Sequence, residues 1–501
     1  MVWVRKAMIL THRYLGIALC VPIVMWFVSG IGMMYAGGMP RLTPETRLER
    51  LPPLDLVRVR LSPSEAAEHG NMTPRPGRLV LTTIMNRPAY RFDRGSFSVV
   101  FADTGDLMTD VGQAEAMTIA SRFMHLPQET LHHVGVLTEP DQWTIGQADQ
   151  MPLHKITVDD AASTQLYVSE PLGEVAVQTT RGSRALAWVA AIPHWLFFVQ
   201  LRSHGDLWRQ SVLWMSGLGA ISAVIGLVLA VIQFSPSSPF RLNRLGASIP
   251  YAGWMRWHYV TGVLFGVFTV TWLFSGMMSL EPWEWASGGG SGGGVRNAIA
   301  GGPLDVALFP RIDAATWDEA LPGRPPKEVE FLRIQGDPYY VARGVEPKPL
   351  LVAANPLRIR REPFSIESLM ERVKQGNPGV PIAESQVLPE YDSYYYARGQ
   401  DAPLPVLRVK FDDPDRTWFY IDPGTSRILD RLTWRARLNR WVFFGLHTFD
   451  LSFWYYNRPL WDIGVIALSI GGGVSSAIGL LIGFRRLKRN TRRITRPAIR
   501  T

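Results

Sequence analysis

The chain holds a single cysteine in 501 residues, Cys20, and it lies inside an apolar run. One cysteine excludes an intramolecular disulfide, a thiolate metal cluster and CxxC redox chemistry. A redox centre here must use His, Met or Tyr, or be a cofactor that needs no Cys. Acidic residues are missing from three places: the first 13 residues, 241–256 and 485–501. Each of these carries Arg or Lys, the last with Arg485, Arg486, Lys488, Arg489, Arg492, Arg493, Arg496 and Arg500. The long apolar runs hold no carboxylate, so a transporter would lack an obvious coupling-ion site. Residues 287–294, SGGGSGGG, satisfy GxGxxG, but no strand precedes them. They read as a flexible linker and not as a phosphate cradle.

What is present is a set of four uncharged stretches, Tyr14–Ala36, Gln210–Phe240, Trp257–Leu280 and Ile463–Phe484. Each exceeds the roughly 20 residues that a helix needs to cross the hydrocarbon core. The first follows Arg5 and Lys6 like a signal peptide, but its apolar run is too long for an h-region, so it is expected to be retained. Overall hydrophobic content is 47%, too moderate for a chain that is membrane throughout. The positive-inside rule puts the three acid-free basic segments in the cytoplasm and two large segments outside. The net charge of +9 is largely this signal; a nucleic-acid partner is not expected, because the basic tail abuts a span.

The expected order is then as follows. Residues 1–39 are a cytoplasmic N-terminus and first span, and 40–184 a first outer domain. Residues 185–240 are an aromatic interfacial helix and second span, 241–256 a cytoplasmic loop, and 257–280 the third span. Residues 281–439 are a second outer domain, 440–484 an interfacial segment and fourth span, and 485–501 a basic cytoplasmic tail. The outer segments read as α+β. LVLTTI, AYRF and FSVVF are strand-like, helices are expected near Gly112–Met124 and Ser365–Gln375, and FADTGDLM, YVSEPLGEV and FYIDPGTSRIL read as hairpins. They suggest about two small modules in each outer segment.

The chain also repeats itself. HRYLGIALCVPIVMWFVSG from His12 and HYVTGVLFGVFTVTWLFSG from His258 share His, Gly16/Gly262, Trp26/Trp272 and Ser29-Gly30/Ser275-Gly276 with no gap. His194 precedes Trp208 by 14 residues, and His447 precedes Trp461 by 14. Ser216/Ser469, Ser222/Ser475 and Gly226/Gly479 follow in step. This is the pattern of a tandem duplication that carries two histidines per half.

Ionisable groups near a bilayer are costly, and haem iron accepts imidazole axially. His12 and His258 begin outward-running spans; His194 and His447 precede inward-running ones. The 17 residues from His12 to Ser29 cover roughly 25 Å, so the two levels lie nearly a membrane apart. One haem is expected between His12 and His258 and a second between His194 and His447. Arg13, Arg202 and Arg256 are candidate partners for haem carboxylates, although topology alone accounts for them. Trp26 and Trp272 lie between the levels, where core packing explains them more simply. Adjacent His132 and His133 read as a solvated pair; His204 does not repeat, and His69, His125 and His154 form no constellation.

HRYLG with WFVSG, HYVTG with WLFSG, the two His-bearing segments before spans two and four, and the hairpins TQLYVSEPLGEV and TWFYIDPGTSRIL together resemble the PepSY-associated transmembrane helix family, which includes iron-regulated membrane proteins and siderophore-iron reductases. The resemblance implies a polytopic α-helical membrane protein with four transmembrane helices and two α+β PepSY-like periplasmic domains, in a bacterial inner membrane. In the reductase branch it implies two b-type haems and electron delivery to a ferric chelate or siderophore. The electrons would come from a cytoplasmic or quinol donor. The chain departs from a minimal member in its larger outer segments and has no recognisable NAD or flavin motif. The alternative reading is a non-enzymatic membrane protein whose PepSY domains bind a peptide, a protein or an iron complex for sensing or assembly.

Overall fold

The computed structural model describes residues 2–93, 97–109, 111–234, 249, 251–283, 292–398 and 402–494. The chain forms two compact units. One comprises 1–39, 184–287 and 435–501; the other comprises 40–183 and 288–434.

The first unit is helical. Four helices are long and apolar enough to cross a membrane: Val2–Ala36, Gly205–Gln233, Trp254–Met278 and Leu460–Ile494. They are apolar on every side, as lipid contact requires. In chain order each packs against the next, and the fourth returns to the first, which closes a ring. Small residues allow the approach: Phe27 of the first helix and Phe265 of the third press on Gly472 and Gly471 of the fourth. The aromatic segment before the second span is not one helix. Arg181–Val189 and Ala191–Arg202 are long and apolar enough to cross only when taken together, and they meet at a bend of 41°. The matching segment before the fourth span runs through a π-helical turn at Arg440–Gly445.

The second unit is α+β. Its strands are β1 (Arg78–Ile84), β2 (Arg87–Asp93), β3 (Phe97–Phe101), β4 (Leu131–Leu137), β5 (Leu153–Val158), β6 (Gln165–Ser169) and β7 (Glu174–Thr179) from 40–183. From 288–434 come β8 (Glu328–Ile334), β9 (Asp337–Arg343), β10 (Leu350–Ala354), β11 (Leu357–Ile359), β12 (Ile382–Leu388), β13 (Val406–Phe411), β14 (Trp418–Asp422) and β15 (Arg427–Leu432). Two four-stranded antiparallel sheets, β4-β5-β6-β7 and β12-β13-β14-β15, are covered by the helices Gln113–Met124 and Ile366–Gly376. The remaining strands form a single seven-stranded sheet in the order β11-β10-β9-β8-β1-β2-β3. Pairing of β1 with β8, Leu81 opposite Val329, joins the two outer segments. Where the sequence suggests two outer domains, the hydrogen bonds therefore make one body. Of the glycine-rich stretch, Gly293 and Gly294 open a helix, Gly293–Ala300, and 287–291 lie outside the described residues.

Strand alternation gives the shared sheet two unlike faces. One buries Leu79, Leu81, Tyr90, Val329, Phe331 and Tyr340 in a core that spans both segments. The other carries Arg91, Glu328, Glu330 and Arg343. Glu328 is bound by Arg47 and Arg343, and Glu330 by Arg78, Arg343 and Arg427. The internal repeat continues in this unit. Asp141 accepts from Lys155 and Tyr167, and Asp392 accepts from Arg408 and Tyr420, at 2.8–2.9 Å.

Candidate functional site

The four repeated histidines all belong to the helical unit. His12 sits on the first helix and His258 on the third, with ring centres 6.2 Å apart. His194 lies in the short helix Ala191–Trp195, and His447 just beyond the π-helical turn. Their ring centres are 6.0 Å apart. Among the described residues no three His, Cys, Asp or Glu gather as metal ligands; these histidines meet in twos.

Each ring is fixed through Nδ1. His12 Nδ1 lies 2.8 Å from the Ser222 carbonyl, and His258 Nδ1 lies 3.1 Å from the Ser475 carbonyl. A carbonyl only accepts, so Nδ1 carries the proton in both. His194 Nδ1 is 3.2 Å from Ser29 Oγ, and His447 Nδ1 is 3.0 Å from Ser275 Oγ. Each of these serine hydroxyls donates to the carbonyl three residues back, at Trp26 and Trp272, so its oxygen is left to accept from the imidazole. A neutral ring held in this way has its lone pair at Nε2. An outer hydrogen bond that fixes the tautomer in this way is the arrangement of a metal-binding histidine.

Glycines press the rings from the facing helix. A Cβ at Gly226 would stand 2.7 Å from His12 Cε1, and one at Gly479 3.2 Å from His258 Cε1. At Gly30 and Gly276 a Cβ would lie 3.5 Å and 3.6 Å from Cε1 of His194 and His447. The repeated Ser-Gly pairs therefore hold the second histidine pair directly.

A cavity of about 480 Å³ opens between the helices at the first pair and is lined by His12 and His258. Gly16 and Gly262, one turn after each histidine, keep it open. A Cβ at Gly16 would meet nothing within 4 Å, and one at Gly262 only Ser475 Oγ, at 3.9 Å. Arg13 and Arg486 line the same cavity. An imidazole nitrogen lies about 2 Å from the metal it binds, so two imidazoles on opposite sides of one metal have ring centres about 6 Å apart. Both pairs fit that spacing, and the first also has a cavity with cations beside it.

The other residues singled out in the sequence fall elsewhere. Arg202 stacks over Phe197 and Trp208, and Arg256 donates to the Tyr251 carbonyl. Trp272 packs edge-on against Phe27 and Phe449, whereas the Trp26 indole nitrogen is buried without a hydrogen-bond partner among the described residues. His132 pairs with Asp159. His154 does join a constellation: it is 2% exposed and contacts His133, the Val111 carbonyl and Glu170. The 14-residue spacing has a cause that sequence reasoning missed. Trp208 donates to the carbonyl of Trp195, the residue after His194, and Trp461 donates to that of Thr448, the residue after His447. Each indole ties down the turn that carries its histidine.

No curated protein matches the chain. The family model described as the PepSY-associated TM region matches residues 9–330, more than half of the chain, including His12, His194 and His258. The four apolar helices and the separate β-sheet unit agree with that match, and the chain belongs to the PepSY-associated TM region family.

Proposed function

We propose that this membrane protein holds two b-type haems and passes electrons across a bacterial inner membrane to a periplasmic acceptor, a ferric chelate or siderophore. The termini would face the cytoplasm and the β-sheet unit the periplasm, following the basic, acid-free segments. The observation that carries the reading is the meeting of the four repeated histidines as two pairs, with ring centres 6.2 Å and 6.0 Å apart.

His12 and His258 would hold one haem, and His194 and His447 the other. When bound, haem would supply a one-electron iron couple, and two histidines per haem would suit it to electron transfer. The Ser222 and Ser475 carbonyls and the Ser29 and Ser275 hydroxyls would hold the proton on each Nδ1 and leave Nε2 for the iron. Gly16 and Gly262 leave room beside the first pair, and Arg13 and Arg486 offer charge to carboxylates there. The electron donor would be a quinol or a cytoplasmic reductant.

Protein purified in detergent from haem-replete cells should be red, with a low-spin Soret spectrum. His12→Ala or His258→Ala should remove one haem, and His194→Ala or His447→Ala the other. Purified protein without haem would overturn the reading, and retention of both haems in these variants would overturn the pairing.

A further inference from the structure

The β-sheet unit contains a second cavity, of about 600 Å³, that the electron-transfer reading does not use. Its lining combines the apolar Phe123, Ile119 and Met85 with the cations Arg50, Arg122 and Lys327. Arg47 also reaches the cavity, but it is paired with Glu174 and Glu328, so neither it nor Glu174 contributes net charge. The other acid on the lining is Glu49, against three cations.

Those cations are incompletely engaged. Arg50 donates to the Phe123 carbonyl, with its guanidinium 5.8 Å from the centre of the Phe123 ring. Lys327 donates to the carbonyls of Leu48 and Glu49, at 3.1 Å and 2.8 Å, and an ammonium has a third proton to give. Arg122 has no ion-pair partner among the described residues. Neutral carbonyls do not balance these charges, and a cavity that combines apolar side chains with a few charged donors has the make-up of a ligand site.

The geometry points to a binding site for a small organic polycarboxylate with an aromatic or otherwise apolar body. Its carboxylates meet Arg50, Arg122 and Lys327, and its body lies against Phe123 and Ile119. The site does not depend on haem, and its failure would leave the haem spectrum untouched. The same carboxylates arrive either on a free acid or on its ferric chelate.

Calorimetric titration of the purified full-length protein with benzene-1,2,4-tricarboxylate tests the assignment. We expect binding that weakens with added salt, none with the corresponding triamide, and citrate at least about tenfold weaker because it lacks the apolar body. Arg122→Gln should weaken binding about tenfold, since bonds to charged groups are the stronger class. Lys327→Gln should do the same, with folding checked by circular dichroism. Repeating the titration with one equivalent of Fe(III) assigns the tighter-binding form as the ligand. No binding of the tricarboxylate overturns the site, as does full affinity in both variants. Citrate bound equally well overturns the apolar half of the assignment.

Discussion

At the scale of single residues, the histidines and the serines that orient them repeat together in the sequence, but which atom of each serine meets the ring shows only in the structure. Two of the four Nδ1 partners are backbone carbonyls, at Ser222 and Ser475, and a carbonyl leaves no mark on residue identity. Gly226 and Gly479 do repeat, but only the structure shows that each faces an imidazole edge. Gly226→Leu should therefore displace His12 and leave His194 and His447 in place. If the protein holds two haems as proposed, the haem-to-protein ratio, read from the pyridine haemochrome, should fall to about half, as for two independent sites. Ser275→Ala removes the acceptor of His447 Nδ1 without adding bulk. Loss of such an outer partner typically weakens metal affinity about 10–100-fold, so haem should dissociate from that variant faster than from the native protein. Unchanged dissociation would mean that Ser275 does not tune the ring.

At the scale of elements, strands and helices were legible where their pattern is local. LVLTTI, AYRF and FSVVF became β1, β2 and β3, and the helices expected near Gly112–Met124 and Ser365–Gln375 run over Gln113–Met124 and Ile366–Gly376. The pairing of β1 with β8 was not legible, because strands some 250 residues apart share no local signal. Charge fixes that junction. Arg78 of β1 reaches Glu330 of β8, and Glu330 is also held by Arg343 and Arg427. Burial alone would raise the Glu330 pKa, but Arg427, Arg343 and Arg78 outweigh it and hold the carboxyl below its ordinary value of 4.5. The folded state thus binds the proton more weakly than the unfolded one. The stability from Glu330 is complete above pH 4.5 and drains as pH falls through the lower folded value. Glu330→Ala leaves Arg78, Arg343 and Arg427 without this shared partner; their side chains are 49%, 21% and 40% exposed, so water offsets part of the loss and the cost is about 1–3 kcal/mol. Thermal melts of the two proteins should differ strongly at pH 7 and converge under acid; equal melts at pH 7 would show that the junction does not rely on this carboxylate.

At the scale of the whole molecule, the shared sheet constrains how the chain threads the membrane. Residues 40–183 and 288–434 are hydrogen-bonded to each other through β1 and β8, so both lie on the same side. The number of crossings between them must be even. Two long helices, Gly205–Gln233 and Trp254–Met278, lie in that interval, and so does the bent pair Arg181–Val189 and Ala191–Arg202. If the bent pair also crossed, there would be three crossings, and the sheet would have to form across a bilayer. With both long helices crossing, an even count leaves the bent pair as a segment that does not cross. Composition alone leaves this open, since the segment is apolar enough to span; a strand pairing far from it in sequence decides the matter. In a Cys20→Ser background, single cysteines at Ser203, Asn86 and Arg489 test the argument. A membrane-impermeant maleimide on intact spheroplasts should label Ser203→Cys and Asn86→Cys alike, and label Arg489→Cys only after lysis. Labelling of Ser203→Cys together with Arg489→Cys would mean that the bent pair crosses, and that β1 and β8 cannot be partners in the membrane-embedded chain.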